Sequence, residues 1–201
     1  MNQILSTKIN KIKKSKVFSV QFLISILAII IFLIIYFFYK LQLNEENKKS
    51  SYFSNNYEIY KLYAKQSKIV HYKDSDILGN ISIPKININY PFFYGYSEDL
   101  LKISPCRFYG EMPPKAGNLC ITAHNYNDTR FFGKISELSN NDKIIIEDNY
   151  KNKYIYKIFN KFEVSKDDIS PLENYDRNAY TLTLITCNNI NNKRIIVQAK
   201  Q

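Results

Sequence analysis

The alternation of apolar and polar positions along this chain changes character three times. Residues 17–39, "VFSVQFLISILAIIIFLIIYFFY", are 23 residues without a charge, flanked by Lys16 and Lys40. About 20 apolar residues cross a bilayer as a helix, and a helix satisfies its own backbone in hydrocarbon. Tyr36 and Tyr39 lie at its distal end, where interfacial aromatics collect. The stretch predicts an uncleaved membrane anchor. A signal peptide is the alternative, but its apolar region runs about 7–15 residues and ends in small side chains; this one ends "YFFYKLQ".

Residues 41–55, "LQLNEENKKSSYFSN", are polar and predict a linker beside the membrane. In residues 56–70, Tyr57, Tyr60, Tyr63 and Ala64 recur at helical spacing. They predict a helix whose tyrosine stripe is a packing face. From Ile77 the period shortens to two. "ILGNISIPKININYPFF" predicts two strands joined at "IPK", and "NLCITAHN" a further strand. "FFGKISEL" predicts a short helical turn, and "KIIIED" and "KYIYKIFNKFEV" two strands across the turn "NYKN". After a polar loop, "SKDDISPLENYDRN", the strands "AYTLTLITC" and "RIIVQAK" close the chain. Many short strands with frequent turns predict a mainly β barrel or sandwich. The division is a basic tail (1–16), the anchor (17–39), a linker and helix (40–75) and a β domain (76–201).

Charge sharpens the placement. The chain of 201 residues carries a formal net charge of +10. Lys8, Lys11, Lys13, Lys14 and Lys16 precede the apolar run with no acid among them. Lysine on that side predicts a cytoplasmic N-terminus and an extracellular β domain. Half of the net charge is therefore a topology signal, and no nucleic-acid motif accompanies the rest.

Three cysteines (Cys106, Cys120, Cys187) and two histidines (His71, His124) lie in the exported part. The odd count leaves at least one thiol without an intramolecular partner. Cys106 and Cys120 are open to pairing or to remaining free. No C-x-x-C or H-E-x-x-H occurs, and "KDD" lacks EF-hand spacing, so no metal or cofactor is expected. Cys187 ends a strand of strong β character. A lone cysteine there is more often a small buried hydrophobe than a nucleophile. Its context changes that weighting. His124 closes another strand, and Arg194 opens the strand after "NNINNK". A hairpin across that loop puts Arg194 beside Cys187, and a cation beside a thiol favours thiolate.

"TLITC" (Thr183 to Cys187), the following Arg194 and the upstream "ITAHN" together resemble the sortases, membrane-anchored cysteine transpeptidases. "LGNISIPKININYPFFYG", "PPKAGNLCITAHN" and "TRFFGKISELSNNDKIII" extend the resemblance over roughly residues 77–199. The resemblance implies a closed β-barrel with short helices. It implies Cys187 as nucleophile, His124 as acid and base, and Arg194 as the group that positions substrate and stabilises the oxyanion. The implied partners are secreted proteins with a C-terminal sorting motif and an amine acceptor of the cell wall or a pilin. One position departs from the family: Ala123 stands where it usually has glycine. Without an evident helical insertion, lid or second membrane helix, the chain resembles classes A and D more than B or C. A thiol hydrolase with water as acceptor and a non-catalytic surface module are the alternatives.

Overall fold

A computed structural model of the protein describes residues 2–63, 69–173, 176 and 178–201. Two compact units share the chain, residues 1–47 and 48–201. The first lies within helix α1, Asn2–Tyr63. Its apolar side chains from Val20 to Leu41 are exposed, in a helix with a window of mean hydropathy 2.9. By length and composition it fits a single membrane span.

The stretch 41–55, expected as a linker, is helical and belongs to α1. Its polarity hid good helix formers: "LQLNEENKK" has neither glycine nor proline. In the second unit, helix residues Phe53 and Tyr57 are buried with Val70, Ile77 and Phe93. The Phe53 ring stacks on Phe93 at 4.9 Å and meets Tyr72 edge-on at 4.7 Å. Tyr57 donates to Asn149 Oδ1 at 3.0 Å, and Asn149 donates on to the Ile77 carbonyl at 2.7 Å. The expected tyrosine face therefore packs through Tyr57 and Tyr60. Residues 64–68 of the expected helix lie outside the described residues. Its last residue, Val70, instead opens a strand.

Among its described residues the β domain holds nine strands: β1 (Val70–Tyr72), β2 (Ser75–Ile83), β3 (Ile88–Phe93), β4 (Cys106–Tyr109), β5 (Gly117–Thr122), β6 (Lys143–Asp148), β7 (Lys153–Val164), β8 (Tyr180–Cys187) and β9 (Arg194–Lys200). Their order is β1-β2-β3-β4-β5-β8-β9-β7-β6, and β6 returns to β2. That pairing, Gly79↔Asp148 to Ser82↔Ile145, closes an eight-stranded barrel, with β1 added along β2. Closure leaves no free edge among the eight. Gly79 is needed there, since a Cβ would collide with the Glu147 carbonyl of β6. The interior is aliphatic and aromatic, including Ile81, Phe92, Leu119, Ile121, Ile146, Tyr156, Leu182 and Leu184.

The "IPK" joint is a 3-10 turn, Pro84–Ile86, and the turn expected in "FFGKISEL" is Ile135–Glu137. Helix α2 (Glu98–Leu101) and strands β1 and β4 were not expected. The strands hold only three and four residues, too few for a period to register. His71, expected in a polar stretch, is in β1, and its Nδ1 lies 2.6 Å from Asp76 Oδ1.

Candidate active site

The site is built where β5 and β8 end and β9 begins. β5 and β8 run parallel in register from Gly117↔Tyr180 to Thr122↔Ile185. Along β8 the side chains alternate. Leu182 and Leu184 join the barrel core, and Thr186 is buried on the same side. Ile185 and Cys187 line a cleft on the other. Thr183 shares their face but is covered, donating to Asn118 Oδ1 at 2.8 Å. The Asn118 amide in turn donates to the Pro171 carbonyl at 2.9 Å, holding the β7–β8 loop over this face.

β8 and β9 form the expected hairpin, with Cys187 directly opposite Arg194. Arg194 Nη1 donates to Cys187 Sγ at 2.6 Å, and Cys187 is exposed. His124, expected at the end of β5, stands two residues past it, since the strand stops at Thr122. The chain remains anchored there: Ala123 N donates to Ile185 O at 3.2 Å, and Phe132 N donates to His124 O at 3.1 Å. The His124 ring lies 5.2 Å from that of Tyr126, which is covered at 4.1 Å by the Arg130 guanidinium. His124, Cys187 and Arg194 line one cleft of about 480 Å³. Tyr96 and Phe108, their rings 5.0 Å apart, form part of its wall, with Lys166, Asp168 and Ile169 of the β7–β8 loop.

Ala123 needs no glycine conformation: its φ is not positive, and its methyl sits in the barrel core. The other two thiols differ from Cys187 in kind. Cys106 and Cys120 are free and fully buried, and burial pushes both up to about 12. They remain neutral thiols at physiological pH. No disulfide joins them. Among the described residues no group of three or more His, Cys, Asp or Glu could hold a metal ion.

The bonding partners of several residues around the site escape a reading of the sequence. Thr186 Oγ1 donates to the Ala123 carbonyl at 2.7 Å. Asn125 Nδ2 donates to the Cys187 carbonyl at 2.7 Å, and Asn189 Nδ2 to the Asn125 carbonyl at 2.8 Å. Glu163 of β7 accepts from Asn188 at 2.5 Å and from Asn191 at 2.8 Å, tying down the loop between Cys187 and Arg194. The run "CNNINNK" was the signal available, because asparagine favours turns whose side chains bond nearby backbone.

The sortase domain family matches residues 81–201. Sortase A of Bacillus anthracis is 29% identical over 124 residues, 60% of this chain and 58% of that protein. Among solved structures, a Clostridium perfringens sortase D5 transpeptidase superposes with a TM-score of 0.63 at 26% identity, covering 76% of this chain and 98% of that one. Sortase A from Corynebacterium diphtheriae gives a TM-score of 0.58 at 25% identity, covering 63% of this chain and 61% of that one. The chain thus spans about three fifths of the length of the Bacillus anthracis and Corynebacterium diphtheriae proteins. With its family match extending over most of the β domain, the chain belongs to the sortase family.

Proposed function

We propose that this protein is a membrane-anchored cysteine transpeptidase. Its cleft takes a C-terminal sorting motif of a secreted protein and passes the protein to an amine. The observation that carries the reading is the contact of Arg194 with the exposed Cys187 sulfur in a cleft that His124 also lines.

Cys187 Sγ attacks the scissile carbonyl carbon, forming a C–S bond and a tetrahedral oxyanion. The Arg194 guanidinium is a fixed donor for that charge. The C–N bond then breaks as protonated His124 gives its proton to the leaving amine. A thioester remains on Cys187. An amine of the cell wall or of a pilin attacks it, neutral His124 takes the amine proton, and the C–S bond breaks to release Cys187. Among the described residues, the chain between His124 and Cys187 holds only two 3-10 turns, Ile135–Glu137 and Ser170–Leu172, as helix. That supports a site of class A or D type. The N-terminal lysines support a cytoplasmic N-terminus, with the β domain outside the cell.

The test is incubation of the full-length chain with a mixture of sorting-motif peptides and triglycine. The reading expects a product that requires triglycine and disappears in Cys187→Ala. Cleavage indifferent to added amine would instead mark a thiol hydrolase, and product that survives Cys187→Ala would sink both enzymatic readings.

A further inference from the structure

The backbone ladder that joins β5 to β8 ends at Thr122↔Ile185, before it reaches either His124 or Cys187. Ala123 N donating to Ile185 O is the last backbone bond between the two segments. An acid/base and a nucleophile on separate segments need a fixed relation to act together. Beyond the ladder, three side-chain bonds continue it. On the barrel side, Thr186 Oγ1 donates to the Ala123 carbonyl. On the outer side, Asn125 reaches from the residue after His124 to the Cys187 carbonyl, and Asn189 reaches back from beyond Cys187 to the Asn125 carbonyl. The residues on either side of His124, Ala123 and Asn125, are thereby tied to Thr186, Cys187 and Asn189.

We propose that Asn125, with Asn189 as its return partner, is a positioning residue that sets the placement of His124 relative to Cys187. This rests on the dyad reading given under Proposed function. The two amides form a reciprocal clasp: each segment donates once and accepts once. Asn125 suits the role chemically because its side chain can donate to a carbonyl. Aspartate of the same shape cannot, and sets a carboxylate against a carbonyl oxygen. The chain at Asn125 is also held independently of this bond by its bridge with Phe131. Removing the amide therefore frees the His124–Cys187 relation without unfolding the loop.

The test uses the proton and carbon signals of the His124 imidazole in the full-length protein in detergent micelles. His71 is the other histidine, so His71→Gln assigns the pair. Cys187 is then blocked with methyl methanethiosulfonate, which cannot reach the buried Cys106 and Cys120. In the wild type, blocking the thiol moves the His124 signals. In Asn125→Ala and Asn125→Asp the response shrinks to less than about half, and in Asn189→Ala it lies between, while the thermal midpoint stays within about 2 °C, since half-exposed surface substitutions cost little. Amine-dependent turnover falls in the same order through kcat, with KM for the peptide little changed, because the cleft wall is untouched. A full-sized response in both Asn125 variants would overturn the clasp and leave the dyad standing. A wild-type His124 that ignores the blocked thiol would overturn the dyad and the clasp together.

Discussion

At the scale of the residue, the proposed chemistry rests on Cys187 and Arg194, directly opposite on β8 and β9. Arg194→Ala removes the donor seated on the sulfur; if it also serves the oxyanion as proposed, its loss should cost about 100-fold or more in turnover. Arg194→Lys recovers little of it, because an ammonium lacks the planar fork of the guanidinium. Initial rates with the best peptide check this; a lysine variant at full rate contradicts the role. Glu163 gives a pH test. Its bonds from Asn191 and Asn188 hold its carboxyl below the usual glutamate range. A lowered value in the fold means the tie is fully present above the unfolded value of about 4.3 and is lost as pH falls through the lower folded value. The side-chain amide signals of Asn188 and Asn191 are expected to move together on acidification, with a midpoint below about 4.3. A midpoint at or above that would break the link. The three proposed members of the site could be named from the sequence because Cys187 and Arg194 sit at strand ends, His124 lies two residues past one, and each is a distinctive residue type. Glu163 and Asn125 could not. Glu163 lies 25 residues before Asn188 and Asn125 lies 62 before Cys187, so their roles exist only once the chain has folded.

At the scale of the element, the hairpins were the most readable part. "KYIYKIFNKFEV" coincides with β7, and "RIIVQAK" with β9, because both are rich in β-branched or aromatic residues and turn residues bound them. The segment after the apolar run, expected as a linker, is helical, and its polarity says nothing of the one aromatic residue it buries, Phe53. Phe53 is fully buried among Tyr60, Tyr72 and Phe93. Phe53→Ala should therefore destabilise the second unit by about 3–5 kcal/mol. Tyr57→Phe removes one bond to Asn149 and should cost about 1 kcal/mol. Urea unfolding followed by tyrosine fluorescence measures both. A neutral Phe53→Ala would show that helix residues 48–63 contribute nothing to the stability of the β domain.

At the scale of the molecule, the closed barrel was legible through the family resemblance, but that β2 and β6 are the strands that close it was not. Their pairing joins strands more than 60 residues apart, and neither carries a mark of its partner beyond Gly79. Family membership was legible, because the motifs keep their order along the chain. The fold also sorts the three cysteines: one is exposed and two lie within the barrel wall. A thiol reagent at pH 7.5 should modify Cys187 alone in the native protein, and all three cysteines in guanidinium. Fast native labelling of Cys106 or Cys120 would contradict their burial. The central claim is that Cys187 carries the acyl group between donor and acceptor. Its most direct measurement is the intact mass of the full-length protein mixed with sorting-motif peptides in the absence of amine. The account predicts an added acyl mass that maps to Cys187, is discharged by hydroxylamine as the hydroxamate and is absent from Cys187→Ala. Peptide cleavage that proceeds unchanged in Cys187→Ala, with no adduct on that residue, would contradict it.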